Sequence, residues 1–281
     1  MRRGGISCMF DVCVTIVNTN EKKEIESSLE SLFFDSKNSG LNIAVVVVNN
    51  ASLDSADDLA SKFPNLTIIK NTRNEGFGKA HNRAFASVPA KYYFVLNPDT
   101  EFPASQNFLR HLYDFMEAHT QVGVVGPKVI YPDGSLQYSC YRFPTFWQPI
   151  FSRTRYGQSG QGKIMSDKFL MKEFDHATTR PVDWVMGSAM FIRKTAWDTV
   201  GGFDERYWMY AEDSDLCRRM WEAGFAVYYL HSVYLRHEHG RASAKIPGVF
   251  NALIKNKYAR THLVSWLKYF WKWRGNHKYY R

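Results

Sequence analysis

VCVTIV at residues 12–17 and IAVVVV at residues 43–48 are continuous apolar runs, each as long as a typical β-strand. Residues 21–34 lie between them and have apolar side chains at helical spacing, including Ile25 and Leu29. Parallel strands need a long crossover connection, and a helix is the usual one. This part of the chain therefore predicts a strand, a helix and a second, parallel strand.

The same alternation continues to about residue 100. The pattern predicts a helix over 55–63, a strand over 66–69, a helix over about 78–87 and a strand over 92–96. Elements in this order form a doubly wound α/β half, in which ligands bind at the carboxyl ends of the strands. We therefore expect an α/β fold with a mostly parallel, Rossmann-like central sheet and helices on both faces.

The second half has a more mixed pattern. It predicts a helix over 106–119, a strand over 123–131, strand character over 182–192 and a helix over 214–223. Residues 152–163 (SRTRYGQSGQGK) are polar and rich in glycine, so we expect a mobile surface loop there.

The positive charge of the chain is concentrated at its C-terminal end. The chain has a formal charge of +9. Ten Lys or Arg residues and no Asp or Glu fall within residues 239–281, so residues 1–238 carry a net charge of −1. Within 251–273, apolar and aromatic residues follow helical spacing and lysines and arginines gather towards another side. Such a helix suits the surface of an anionic membrane, although it could instead pack against the domain.

The cysteines and the hydropathy indicate the compartment. The four cysteines show no CxxC spacing, no export sequence precedes the first strand, and no apolar run reaches the roughly 20 residues of a membrane-spanning helix. We expect a cytoplasmic protein that lies on the inner face of the cell membrane.

Two acidic clusters stand where a ligand site is expected. Asn97-Pro98-Asp99 follows the predicted strand 92–96 directly, and Glu212-Asp213-Ser214-Asp215 precedes the predicted helix 214–223. Carboxylates at a strand end can hold a divalent cation, and clustered carboxylates can supply a general base with a raised pKa. Acidic residues there also argue against nucleic acid lying across the site.

Seven segments occur in an order that resembles a known family: VTIVNTN (14–20), VVNNASLD (47–54), NEGFGKAHN (74–82), LNPDT (96–100), VDWVMGSAMFIR (182–193), GGFDERYWMYAEDSDLCRR (201–219) and HEHGRAS (237–243). They resemble the inverting family 2 glycosyltransferases of the GT-A fold, and within them the rhamnosyltransferase-like branch that builds bacterial surface polysaccharides. The resemblance implies a catalytic domain over 1–245, with a nucleotide-binding half to about residue 100 and an acceptor half after it. Residues 246–281 would form a basic, aromatic helical tail.

The resemblance implies roles for the acidic clusters and for one histidine. Asp99 would bind Mg²⁺ or Mn²⁺, and His237 would complete the metal site, with His239 as the competing ligand. Asp213 would be the general base of a catalytic dyad with Glu212.

The resemblance also implies a set of donor-binding residues. The loop with Gly76 and Phe77 would help to enclose a nucleotide-sugar; it is not a dinucleotide fingerprint, because His81 stands where GxGxxG needs Gly or Ala. Asn49 stands where relatives have Asp, which leaves the identity of the base open. The full set is Asn18, Asn49, Asp54, Asn74, Gly76, Phe77, Asn82, Asn97, Gly187 and Ser188.

The expected function is transfer of a sugar, with inversion, onto a lipid-linked (polyprenyl-diphosphate) saccharide. The resemblance favours L-rhamnose from dTDP-L-rhamnose as the donor. A UDP-sugar donor on the same fold is the first alternative, and a non-catalytic basic binding protein is the second. The expected partners are the nucleotide-sugar, the lipid-linked acceptor and an anionic membrane, and no nucleic acid.

Overall fold

A computed structural model describes residues 9–104, 106–148, 157, 159–238, 256–276 and 278–279. Its main sheet has ten strands, and eight of them form a continuous order of β3-β2-β1-β4-β11-β6-β12-β5. The short β7 and β9 pair with β6 and β12, and β8 and β10 form a separate two-stranded sheet. The strands are β1 (Phe10–Asn18), β2 (Ile43–Asn50), β3 (Leu66–Asn71), β4 (Ala90–Leu96), β5 (Thr100–Glu101), β6 (Val122–Ile130), β7 (Leu136–Gln137), β8 (Cys140–Tyr141), β9 (Arg180–Pro181), β10 (Trp184–Val185), β11 (Ala189–Arg193) and β12 (Ala226–His237).

The α-helices of the described residues surround this sheet. They are α1 (Lys22–Ser39), α2 (Phe77–Ser87), α3 (Phe108–Ala118), α4 (Gly160–Phe169), α5 (Lys194–Val200), α6 (Glu212–Glu222) and α7 (Lys257–Lys272). The predicted parallel sheet is confirmed for the first half, since β1 pairs in parallel with β2 and β4, and β2 with β3.

The central strands are buried on both faces. In β1, Val12, Val14 and Ile16 face a core with α1 and α3, while Cys13 and Val17 face a core with α2, α5 and α6. Successive side chains of a strand point to opposite faces, so a strand covered on both sides must be apolar throughout. This is why VCVTIV and IAVVVV lack the alternation of a half-exposed strand.

Three local predictions need correction. The helix predicted over 55–63 is a 3₁₀ helix, Asp57–Ser61, because the segment closes with bonds three residues apart, such as Leu59 N to Ala56 O at 3.1 Å. The strand predicted over 182–192 is interrupted at Gly187 and Ser188, between β10 and β11. The surface loop predicted over 152–163 is wrong for 160–163, where α4 begins with Lys163 paired to Asp167; residues 152–156 and 158 lie outside the described ranges.

The C-terminal helix packs against the domain along one face. Asn256 caps α7 by accepting from the backbone N–H groups of Tyr258 and Ala259, and Ala259, Ser265 and Tyr269 are buried. The boundary predicted at 245/246 falls in residues 239–255, outside the described part. None of the helices described is long and apolar enough to cross a membrane.

Candidate active site

The site is built where β4 ends and β11 begins. β11 runs antiparallel to β4, with Ala189 opposite Leu96, so Gly187 and Ser188 lie beside the residues that follow β4. The Asn97 backbone N–H donates to the Ser188 carbonyl oxygen at 2.9 Å. The structure thus brings together the predicted segments 97–99 and 187–188, which are about ninety residues apart in sequence.

Asp213, the second residue of α6, faces this junction. One carboxylate oxygen, Oδ2, accepts from the Gly187 backbone N–H at 3.1 Å, and the other accepts from the Ser214 N–H at 2.7 Å. Burial raises the pKa of Asp213 to about 6, while these N–H donors act in the opposite direction. Asp213 is therefore ionised at neutral pH, with a pKa close enough to neutrality for a general base.

Glu212 lies next to it and is buried. Burial, followed by the charges of Asp213 and Asp215, raises the pKa of Glu212 well above its ordinary value. Among the described residues its Oε2 atom has no hydrogen-bond partner. Two full negative charges on this pair are thus disfavoured, and the N-terminal end of the helix favours the charge that remains.

The loop that leads into α6 is strained and is joined to the predicted donor loop. Tyr210 and Ala211 have positive φ values of 70° and 69°, a conformation that costs energy for residues other than glycine. The Trp208 carbonyl accepts from the Phe77 N–H at 2.9 Å. Gly76 has φ +89°, and a Cβ there would lie 2.1 Å from that same carbonyl oxygen, so only glycine allows this approach.

The predicted metal ligands meet where the edge strand β5 pairs with β12. β5 pairs with β12 so that Thr100 lies opposite His237, and the Glu238 N–H donates to the Asp99 carbonyl at 3.1 Å. Asp99 Oδ1 lies 3.1 Å from His237 Nε2. The Asn97 amide nitrogen lies 3.1 Å from the same imidazole nitrogen.

The orientation of His237 fits a metal ligand. Gln137 Oε1 lies 2.9 Å from His237 Nδ1 and accepts a hydrogen bond from Nδ1–H, which puts the lone pair on Nε2, beside Asp99 Oδ1 and the Asn97 amide nitrogen. A carboxylate oxygen and an imidazole lone pair at 3.1 Å repel each other unless a cation or a proton lies between them. In the described residues no three His, Cys, Asp or Glu side chains cluster, so a bound ion would need further oxygen ligands from substrate or water.

Gln137 is a site residue that the sequence analysis missed. It is buried in β7, which pairs with β6 after the Pro132-Asp133-Gly134 turn. A glutamine in a two-residue strand has no motif around it, so only the pairing of β7 reveals its contact with His237. His239, the competing ligand candidate, lies outside the described residues.

Three predicted donor-binding residues meet where β1 and β2 end. The Asn18 amide donates to Asn49 Oδ1 at 2.9 Å and to the Asp54 carbonyl at 2.7 Å. The Asn49 amide nitrogen donates to Ser55 Oγ and Asp57 Oδ1, and its oxygen also accepts from the Ala56 N–H. Asn18 and Asn49 thus use their amides within the protein, and their contact with a base stays a prediction, as does that of the exposed Asp54.

The predicted donor loop is held from two sides. Asn74 Oδ1 accepts from the Gly76 N–H at 3.0 Å and from Asn50 Nδ2 at 3.1 Å. The Asn82 side chain pairs with the backbone of Phe203, donating to its oxygen and accepting from its N–H, both at 2.9 Å. Asn50 was not singled out from the sequence, and Asn82 holds the 201–207 loop in this structure; its contact with a donor stays a prediction.

Gly187 lies next to Asp213 and to the Phe77 ring. A Cβ added at Gly187 would lie 3.3 Å from the Phe77 ring and 3.6 Å from Asp213 Cβ, so glycine lets these groups approach. Ser188 is buried, and its hydroxyl has no hydrogen-bond partner among the residues described. The structure therefore places Gly187 and Phe77 near the carboxylate, and Ser188 follows Gly187 in the chain; donor contact of all three stays a prediction.

Comparisons with known proteins identify the family. The profile of glycosyl transferase family 2 matches residues 13–174, and that of glycosyl transferase family group 2 matches residues 95–275. The chain belongs to glycosyltransferase family 2. This confirms the family expected from the seven sequence segments.

Curated relatives of this family 2 chain include rhamnosyltransferases. It is 34% identical over 270 residues to rhamnosyltransferase WbbL of Escherichia coli K12, covering 92% of each chain. It is 29% identical over 230 residues to an N-acetylglucosaminyl-diphospho-decaprenol L-rhamnosyltransferase of Mycobacterium tuberculosis, covering 73% of this chain and 69% of the relative.

Solved structures of low sequence identity share the fold. The mannosyltransferase PcManGT of Pyrobaculum calidifontis, solved with GDP-Man and Mn²⁺, has a TM-score of 0.56 at 18% identity, with 94% of this chain and 70% of that chain covered. GalNAc-T7, solved with UDP, GalNAc and Mn²⁺, has a TM-score of 0.59 at 13% identity, with 83% and 44% covered. The GT-A fold predicted from the sequence is thereby confirmed.

Proposed function

We propose that this family 2 protein is an inverting, metal-dependent rhamnosyltransferase that transfers L-rhamnose from dTDP-L-rhamnose to a polyprenyl-diphosphate-linked saccharide. The names of the two rhamnosyltransferase relatives support the sugar, and the mycobacterial name supports a lipid-linked acceptor. The observation that carries the proposal is the position of Asp213, a half-buried carboxylate with a raised pKa that Gly187 holds beside the residues following β4.

Asp213 is suited to accept the proton of the acceptor hydroxyl. As the hydroxyl oxygen forms its bond to the anomeric carbon, the bond from that carbon to the diphosphate oxygen breaks with its electron pair, and the configuration inverts. The Gly187 and Ser214 N–H groups fix the direction in which the carboxylate points. Burial and the neighbouring acids raise the pKa of Glu212, which disfavours a second negative charge beside Asp213.

Asp99 and His237 are the residues that would hold a divalent ion, with Gln137 fixing the imidazole. A bound Mg²⁺ or Mn²⁺ supplies positive charge where the diphosphate leaves. The neutral Asn97 adds an amide contact to His237 but no charge.

The transfer assay tests the function and the base together. With a lipid-linked N-acetylglucosamine acceptor, the parent protein should use dTDP-L-rhamnose faster than UDP-sugars. Asp213→Asn should lower the transfer rate by about 10²- to 10⁴-fold, because it removes a general base, and leave donor affinity within a few-fold. Asp198→Asn, which changes an exposed acid paired with Lys194, is the matched control and should stay near the parent rate. Transfer by Asp213→Asn within threefold of the parent would reject the base, and faster use of a UDP-sugar would reject the donor.

The metal site has its own test in donor binding. By calorimetry, Mn²⁺ should strengthen binding of dTDP-L-rhamnose to the parent; Asp99→Ala should abolish this gain, and His237→Ala should reduce it more than His239→Ala. His231→Ala, on the same strand but bonded to Thr179, is the control and should keep the gain. Equal donor affinity of the parent with Mn²⁺ and with a chelator would contradict the metal site.

We also propose that the outer face of α7 contacts an anionic membrane at its cytoplasmic face. Seven of the eleven exposed large apolar residues of the described chain lie on this helix or just before residue 148. An apolar groove of about 490 Å³ runs between them, lined by Thr145, Phe146, Leu267, Phe270, Trp271, Trp273 and Arg274. Exposed aromatic and aliphatic residues beside Lys and Arg are typical of helices that lie in a membrane interface. The seven are Phe146, Trp147, Tyr258, Leu263, Val264, Leu267 and Trp271.

Vesicle sedimentation tests the membrane surface. The parent should sediment with phosphatidylglycerol vesicles at low salt and much less with phosphatidylcholine vesicles, because basic side chains near an anionic surface each contribute about 1 kcal/mol. The double change Leu267→Glu with Trp271→Glu should reduce sedimentation at least tenfold. Phe34→Glu, which changes an equally exposed aromatic on α1, should not. A parent protein that does not sediment with phosphatidylglycerol vesicles at low salt would contradict this membrane-binding surface.

A further inference from the structure

The C-terminal helix ends on the catalytic helix at one buried carboxylate. Asp215, in the first turn of α6, is fully buried and receives four donors. Lys272 Nζ lies 2.8 Å from it, and the Trp273 indole N–H donates to it at 2.9 Å. Arg219 donates from within α6 at 2.8 Å, and the Tyr207 hydroxyl lies 3.4 Å away. Two of the four donors thus come from the end of α7.

We propose that α7 is a structural part of the active site, in which Lys272 and Trp273 act through Asp215 as positioning residues for Asp213. The proposal rests on the proposed function of Asp213 as the base. Asp215 and Asp213 lie in the same turn of α6, so a shift of one carboxylate moves the other relative to Gly187. The third acid of the cluster would therefore serve to dock the C-terminal helix rather than to bind substrate.

The next turn of α6 is held by the same C-terminal segment. Arg218 is fully buried, and its guanidinium lies 4.3 Å from the centre of the Trp273 ring, with Phe143, Tyr269 and Tyr279 within 6 Å. It also donates to the Asn276 carbonyl at 2.7 Å. A guanidinium among aromatic rings is stabilised by cation–π attraction, which is strong when the charge is removed from water. Asp215 and Arg218 of α6 are thus both contacted by residues after 268.

α7 also supports the strained loop before Asp213. Ser265 donates to the Met209 carbonyl at 2.7 Å, and Lys268 donates to the Arg206 carbonyl at 2.8 Å. Lys272 bridges Asp215 to Asp204, which lies 2.7 Å from Nζ. Burial alone would raise the pKa of Asp204, but its bonds to Lys272 and Arg206 outweigh burial and hold it at about 2. Because Tyr210 and Ala211 have positive φ, this loop needs such contacts to keep its conformation.

The charges around Asp215 explain why a cation is needed. Three acids, at positions 212, 213 and 215, share one helical turn, and Arg219 and Lys272 are the cations bonded to Asp215 within the described residues. Removing Lys272 leaves a buried carboxylate with one cation fewer beside two other acids. We expect both a displaced first turn and a higher pKa for the neighbouring base.

Steady-state kinetics of Lys272→Met, Lys272→Arg and Trp273→Phe test the proposal on the full-length chain. Lys272→Met should lower kcat about 10- to 100-fold, keep the donor KM within threefold, and shift the acidic limb of the kcat/KM profile to higher pH. Lys272→Arg should recover most of the loss. Trp273→Phe, which keeps an aromatic ring and loses the indole N–H, should lower kcat severalfold. Lys91→Met breaks an ion pair with Glu117 away from the site and should behave like the parent.

Hydrogen exchange gives a second readout that needs no substrate. Backbone amides over 204–215 should exchange at least tenfold faster in Lys272→Met than in the parent, and those of Lys91→Met should not. A parent that transfers no sugar would overturn the proposed function alone. Parent-like kcat and exchange in both Lys272→Met and Trp273→Phe would overturn the positioning role.

Discussion

Two adjacent carboxylates, one buried and one half-buried, at the start of α6 are the constraint on which the site depends. Burial raises the pKa of both Glu212 and Asp213, so two full negative charges there are disfavoured. The charge is tolerated because the Gly187 and Ser214 N–H groups point at it. The Gly187 N–H is in place because β11 pairs with β4 and the strand is interrupted between β10 and β11. The topology of the sheet thus serves the chemistry of one carboxylate.

The surrounding loops complete the same arrangement. The strained turn at Tyr210 and Ala211 leads into α6. The Trp208 carbonyl joins that turn to the donor loop by accepting from the Phe77 N–H. Only glycine fits at position 76, next to the Trp208 carbonyl oxygen. On the other side, β5 and β12 bring Asp99 to His237, which Gln137 orients. The strained turn is held by the Phe77 N–H of the donor loop and by the side chains of Ser265 and Lys268 of α7; such strain is common at active sites.

Much of this was predictable from apolar runs and motifs, and the exceptions have physical causes. VCVTIV and IAVVVV determine the parallel strands, and the acidic motifs mark Asp99 and Asp213. The chain alone could not reveal Gln137, whose contact depends on a two-residue strand, or Asn50, which bonds to Asn71 and Asn74. The basic C-terminal residues suggested a membrane helix, but Lys272 pairs with Asp204 and Asp215 of the domain. The periodicity of a single helix does not reveal ion pairs with another segment, so this contact could not be predicted.

The pH dependence of stability tests the raised pKa of Asp213 most directly. A carboxyl whose pKa rises from 3.8 in the unfolded chain to about 6 in the folded protein stabilises the fold below pH 3.8 and loses that contribution as pH rises to 6. The melting temperatures of the parent and Asp213→Asn should therefore diverge between about pH 4 and pH 6 and then stay apart, with the variant more stable at pH 8. A variant that is less stable than the parent at pH 8, or a difference that does not change with pH, would contradict the account.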